Sequence, residues 1–419
     1  MAETAFEPTF GVQLRRSRQA AALSLRQLAT RVGYDHSYLS QVERGRRPGS
    51  AHLAVLCDRE LGTSPALSTA YQQTRPPAAP DGATVAGPRP EVPAAGVESL
   101  EAVRHELAGS FGPGREVAEW RAVATSHAHE FAKTPPAERL PELTADLQLL
   151  RTGAAAGSAT LAVPAAELAV LIALTLAELG RLRAAERWWR TARATADGSA
   201  ERRIASLARS WEATSGLAEH RPLPRLLELA DDALVLAERP ADVACALAAR
   251  ARVLAAQGEA AQARQVVREL QAVTVNLSGR SAVSDSPFEW ADFETHAVEG
   301  RVCAALGDTL GAYLALDQAL ASCRSETAER AELELVFAHC LVMDRDVAAG
   351  LAVAMRVLVE LPDQWHTHHL YDAAGHVLAA VRGDEQGRAA VWDYQALLRR
   401  RPFDNRTVSS GSGSGREQG

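Results

Sequence analysis

The stretch Leu23–Gly45, LSLRQLATRVGYDHSYLSQVERG, narrows the choice of fold more than any other part of the chain. Ser24 and Gln27 stand three apart ahead of an apolar run. At that spacing each side chain can serve the other's backbone N–H at a helix start. Leu25, Leu28, Ala29 and Val32 then recur with helical period. Gly33 follows, where a helix ends best on a residue that turns left-handed at no steric cost. Asp35 can cap a second helix, in which Tyr38, Leu39 and Val42 continue the apolar stripe. The small Ala29 opposite Leu39 and Val42 suits two helices crossing closely at a steep angle. The stretch therefore reads as two short helices joined by a tight turn, followed by an arginine cluster.

From about Phe10 to Leu61 the chain resembles the phage-repressor-like (Xre) helix-turn-helix family. The resemblance rests on a leading helix with LRRSRQ, the helix pair, the ERGRRP that follows and a closing helix around His52–Leu61. It implies an N-terminal five-helix-type domain over residues 1–71 that contacts double-stranded DNA through residues 10–62. The family places an ion pair between the first helix and the end of the recognition helix, and Arg18 and Glu43 hold those positions here. The third helix, His36–Arg44, is then expected in the major groove with its N-terminal residues on the base edges. Carried over residue by residue, His36, Ser37 and Gln41 face the bases. Gln bonds adenine bidentately, Ser donates or accepts, and His36 donates to a guanine acceptor or a phosphate. Tyr38 stays open between a thymine methyl, a phosphate and packing. Arg44, Arg46 and Arg47 are expected on phosphates, where they add affinity without sequence information. Ser24, Gln27, Ala29, Gly33, Arg18 and Glu43 are the structural positions. The chain departs from the family at Leu25, where many members carry a Gln that contacts the DNA backbone; Arg26 is the neighbour that could supply that contact.

Charge is distributed to match. Between Phe10 and Gly62 nine arginines face four acids, a balance of +5, so the −7 of the whole chain leaves about −12 on the remainder. A basic head on an acidic body confines DNA contact to the head. Lys133 is the only lysine. Five cysteines without regular spacing make no disulfide framework. No basic start followed by an apolar run opens the chain, and Leu168–Leu179 is too short to span a bilayer. The expected setting is a reducing cytoplasm, with no membrane partner.

Past the head, six prolines among Ala, Gly and Asp mark residues 72–97 as a linker. Residues 98–164 read as a leading helical segment, with helices over Glu98–Ala108, Arg115–Phe131 and Glu138–Arg151. From 165 to 404 helix pairs recur with a period near 34–45 residues. Their turns, LGRLRAAE, QGEAAQA, LGDTLGA and RGDEQGR, put Gly at the end of the first helix and small residues at the start of the second. This resembles degenerate tetratricopeptide repeats, of the kind found in actinobacterial Xre-type regulators. Such an α-solenoid offers a concave face for a peptide, protein or small molecule, and its ends often dimerise. Residues 405–419 form a Gly/Ser-rich tail.

No catalytic constellation, phosphate loop or dinucleotide motif is present, so an enzyme is not expected, nor a cofactor. In WHTHHLYDAAGH, His368, Asp372 and His376 share a helical face at zinc-ligand spacing, but without HExxH a polar helix face is the expectation and no metal is assigned. Trp188 and Trp189 read as core and rim rather than a ligand platform. The sequence thus predicts an all-α regulator: a helix-turn-helix head, a Pro-rich linker and a tetratricopeptide-like body that dimerises and senses a signal. The rival is an interaction scaffold with a vestigial helix-turn-helix.

Overall fold

The computed structural model describes residues 10–32, 36–44, 51–63, 65–74, 117–153, 159–275, 277, 286–323 and 327–399. Gly33, Asp35, Arg46, Arg47, most of the Pro-rich stretch, the helix expected over 98–108, residues 276 and 278–285 and the tail lie outside them. The described residues are all-helical, with two short 3-10 turns and no strand. The chain divides into two compact units, Met1–Val92 and Pro93–Gly419.

Among its described residues the first unit holds five helices: α1 (Phe10–Ala20), α2 (Leu25–Val32), α3 (His36–Glu43), α4 (Ala51–Leu61) and α5 (Ala66–Thr74). Each gives an apolar stripe to one core of Phe10, Leu14, Leu28, Val32, Leu39, Val42, Leu53, Cys57 and Leu67. Fully burying one such Leu is worth about 1.5–3 kcal/mol, which holds together helices too short to persist alone. Gly11 fits because α1 passes against the α3 backbone: a Cβ there would run into the carbonyl of Val42. Cys57 is fully buried in this core, and burial pushes its thiol up to about 12.

The described part of the second unit begins with α6 (Val117–Glu130) and α7 (Pro136–Gly153), which pack on α8 (Ala162–Glu178). Of the 17 residues of α8, 14 are buried, so the apolar run at Leu168–Leu179 is a core helix. No described helix is long and apolar enough to cross a membrane. Helix pairs follow: α8 with α9 (Leu182–Gly198), α10 (Arg202–Ala218) with α11 (Leu223–Leu236), α12 (Pro240–Ala256) with α13 (Ala260–Thr274), α14 (Glu294–Ala305) with α15 (Thr309–Ser322), α16 (Ala328–Met343) with α17 (Val347–Glu360), and α18 (His368–Ala379) with α19 (Ala389–Leu398). Trp189 is fully buried in the core and the half-buried Trp188 packs against that core, so the two are core and rim.

Five turns within pairs share one device. The residue closing the first helix is left-handed: Gly180, His220, Gly258, Gly307 and Arg345. In each, its N–H bonds the carbonyl three residues back, and the next N–H bonds the carbonyl five back, as Arg181 does to Leu176 at 2.8 Å and Asp346 to Leu341 at 2.9 Å. His220 and Arg345 show that the device does not require glycine. The turn expected at Gly383 differs: α18 closes at Ala379, and a longer connection through Gly383 leads to Ala389. Helix α14 begins at Glu294, after turns through Pro287–Phe293.

The first helices of successive pairs pack side by side, from α8 through α10, α12, α14 and α16 to α18. The row closes on itself, because α18 also touches α8 and α10. Three polar contacts make the closure: His368 Nε2 with the Ala218 carbonyl at 3.1 Å, His369 Nε2 with Ser215 Oγ at 3.4 Å, and His220 with Asp372 at 3.2 Å.

Candidate nucleic-acid interface and internal cavity

The head fixes the start of α2 and the far end of α3. At the start of α2, Gln27 N–H donates to Ser24 Oγ at 3.2 Å and Ser24 N–H donates to Gln27 Oε1 at 2.9 Å, so the box closes reciprocally. Ala29 is buried between α2 and the core. At the far end of α3, Arg18 donates from Nε and Nη2 to both oxygens of Glu43, at 2.6 and 2.8 Å, and from Nη1 to the Leu23 carbonyl at 2.7 Å. Glu43 and the Arg18 guanidinium are buried, and this bond raises the Arg18 pKa further. A buried, bidentate pair fixes direction as well as distance. It ties α1 to α3 and holds the connection between α1 and α2.

His36, Ser37, Tyr38 and Gln41 all lie on α3, His36 at its first turn and exposed. Arg44, directly after the helix, and Arg26 on α2 are also exposed. Leu25 is half-buried and packs against the head core, so it does not take the place of the Gln found in many family members.

Sequence reasoning missed the residue that sets α5. Asp58, buried at 2 % exposure, accepts from the backbone N–H groups of Leu67 and Ser68 at 2.9 and 2.8 Å, and from the hydroxyls of Thr63 and Ser68 at 2.8 and 2.7 Å. It caps α5 from nine residues upstream, at a separation no local capping rule covers.

In the body the closed row of first helices surrounds a cavity of about 740 Å³. The turns before α14 contribute to its wall. Trp211 Nε1 donates to the Pro287 carbonyl at 2.6 Å and Trp290 Nε1 to Thr295 Oγ1 at 3.1 Å, so both indole N–H groups are engaged by protein and their rings offer apolar surface. Charged residues from α12, α14, α16 and α18 complete the lining, among them Arg252, Glu294, Arg301, Glu329, Glu332 and Asp372. Arg301 bonds Glu332 at 3.1 Å. Burial lowers the Arg252 guanidinium to about 10, helped by Arg301, and raises the carboxyls of Glu294, Glu329 and Glu332 above the usual range.

The histidine-rich helix α18 serves the closure. His368 and Asp372 reach the end of α10 and the turn after it, whereas the His376 carbonyl receives His339 Nδ1 at 3.0 Å. The shared face is split among three partners, and no three His, Cys, Asp or Glu come together as metal ligands among the described residues.

Residues 9–70 match the family model for a helix-turn-helix domain. None of the curated proteins matches the chain. Among solved structures it is similar to Bacillus thuringiensis PlcR, determined in complex with the peptide PapR7 and DNA. The two share 9% identity over 93% of this chain and 98% of that chain, at a TM-score of 0.29, too distant to carry residue roles. The N-terminal segment of this chain is thus a helix-turn-helix domain, joined to a body of paired helices.

Proposed function

We propose that the chain is a sequence-specific, double-stranded-DNA-binding transcriptional regulator. The reading rests on α3, anchored by the Arg18–Glu43 pair, with His36 exposed at its start and Arg44 exposed at its end. His36, Ser37 and Gln41 read bases, with Tyr38 at the same surface, and Arg26, Arg44, Arg46 and Arg47 hold phosphates. The body of tetratricopeptide-like pairs joins two copies into a cytoplasmic homodimer, so that two heads meet two half-sites. The body also senses a peptide, protein or small-molecule signal that biases the spacing of the heads, a coupling between two sites. No step of this function is enzymatic.

The half-buried Leu25 favours the rival scaffold reading, since it brings no polar group to a DNA backbone. Fluorescence anisotropy with a bound duplex separates the two. Gln41→Ala should cost about 1–3 kcal/mol and relax specificity at one base pair, whereas Arg44→Ala should weaken all sequences alike and lower the salt slope by about one. A scaffold would show neither effect.

A further inference from the structure

The cavity of the body holds three ionisable side chains, Arg252, Glu294 and Glu329, that form no ion pair and meet other charges only at longer range. Around them the other ionised groups are paired: Arg301 with Glu332, Arg139 with Glu178, Arg221 with Glu212 and Asp372 with His220. Arg252, on α12, has no ion pair or hydrogen bond to its guanidinium. Glu329, at the start of α16, has none to its carboxylate; the residue is exposed and lines the cavity. Glu294, at the start of α14, has no ion pair; the backbone of Ala291 is its hydrogen-bond partner, and Arg301 and Glu329 act on it only as nearby charges. Leaving a crowded charge without a partner is costly, and a cavity lined by both signs keeps that cost unless something bridges them.

We propose that this cavity binds a compact zwitterion, its carboxylate on Arg252, its ammonium at Glu294 and Glu329, and its apolar part against Trp211 and Trp290. An anion alone would leave the two carboxylates unanswered and would face them. A cation alone would do the same to Arg252. A neutral apolar molecule would strip water from all three without replacing it. A planar guanidinium fits a carboxylate with two parallel hydrogen bonds, and a pair of carboxylates fits an ammonium with its three donors. About 740 Å³ is the size of a small-molecule site and accommodates a free amino acid or a di- or tripeptide with both termini unblocked. The cavity is bounded by α8, α10, α12, α14, α16 and α18, and α18 closes the row, so a bound zwitterion touches the element that completes the ring.

This assignment deepens the sensing reading and rests on it only for the effect on DNA. Isothermal titration of the full-length protein tests it, using the common free amino acids singly and a randomised tripeptide pool with free termini. The best binder is then compared with its N-acetylated and C-amidated forms. Saturable binding is expected, with each blocked form weaker by about tenfold or more, since each loses a charge-assisted contact. Arg252→Gln should erase the preference for the free carboxylate, and Glu294→Gln with Glu329→Gln the preference for the free ammonium. The comparison of blocked forms on the unaltered protein stands even if a variant fails to fold. No saturable binding up to about 10 mM, weaker than a sensor could use, overturns the proposal. So does a blocked form that binds as well as the free one, or an Arg252→Gln protein that keeps its carboxylate preference. A zwitterion that binds without altering DNA affinity leaves this site standing and refutes the sensing reading instead.

Discussion

Arg18 and Glu43 meet across 25 residues with both carboxylate oxygens engaged, at 2.6 and 2.8 Å, and almost no side-chain exposure on Glu43. Removing one partner leaves the other charge buried and unanswered. Glu43→Ala or Arg18→Ala should therefore destabilise the head by about 3–5 kcal/mol, and replacing both by apolar residues of similar volume should recover most of that. Hydrogen exchange of the α1 and α3 amides in the full-length chain reads the effect. Single and double replacements of equal cost would show that the pair contributes packing alone.

Asp58 collects four donors, two of them backbone N–H groups at the start of α5. Asp58→Ala orphans these buried donors and should cost about 2–4 kcal/mol. Protection should be lost first in α5, which packs on α1 and α4, and proteolysis near Thr74 should accelerate. Unchanged protection in α5 would place its cap elsewhere.

Arg345 closes α16 at φ 73°, a conformation that costs a side-chain-bearing residue about 1–2 kcal/mol. Glycine occupies the matching place at positions 180, 258 and 307. Arg345→Gly should raise stability by about 0.5–1 kcal/mol, after allowing for the larger freedom of glycine in the unfolded chain. Denaturant midpoints of the two proteins check this, and a lower midpoint for the variant would contradict it.

His369 is held neutral. Its Nε2 lies 3.4 Å from Ser215 Oγ, and burial, with His368, Arg252 and Arg301 nearby, lowers its pKa to about 3. Below about 6.5 the unfolded chain takes up a proton that the folded body refuses, so this residue withdraws stability as pH falls from 6.5 towards 3. Glu294, Glu329 and Glu332 act with the opposite sign, because their raised pKa values let the folded body bind protons first. The comparison that isolates His369 is therefore wild type against His369→Asn. On going from pH 7 to pH 5 the variant should lose less melting temperature than the wild type, or gain more. Parallel curves would remove His369 from the acid response.

What was legible in the sequence was local. Ser24 and Gln27 signal a box because its bonds span three residues, and α8 signals its burial because nearly every position is apolar. Arg18 and Glu43 came from family resemblance rather than spacing, since nothing local links positions 25 apart. The Asp58 cap stayed hidden because its targets lie in another helix. His220 and Arg345 were hidden because glycine is the usual mark of a left-handed helix end, and tertiary packing enforces the turn without it. The histidines of α18 read only as a polar helix face, because Ser215 and Ala218, the partners of His369 and His368, lie about 150 residues away and become neighbours only when the row of helices closes. The cavity, bounded by six helices distant in sequence, has no one-dimensional signature.

The most direct test of the account is selection of a randomised duplex library by the full-length protein at two salt concentrations. The account predicts an enriched inverted repeat with half-sites about one helical turn apart, retained at the higher salt although affinity falls overall. Recovery of no common sequence, with binding that vanishes as salt rises, would contradict it and reduce the head to a charge-driven contact.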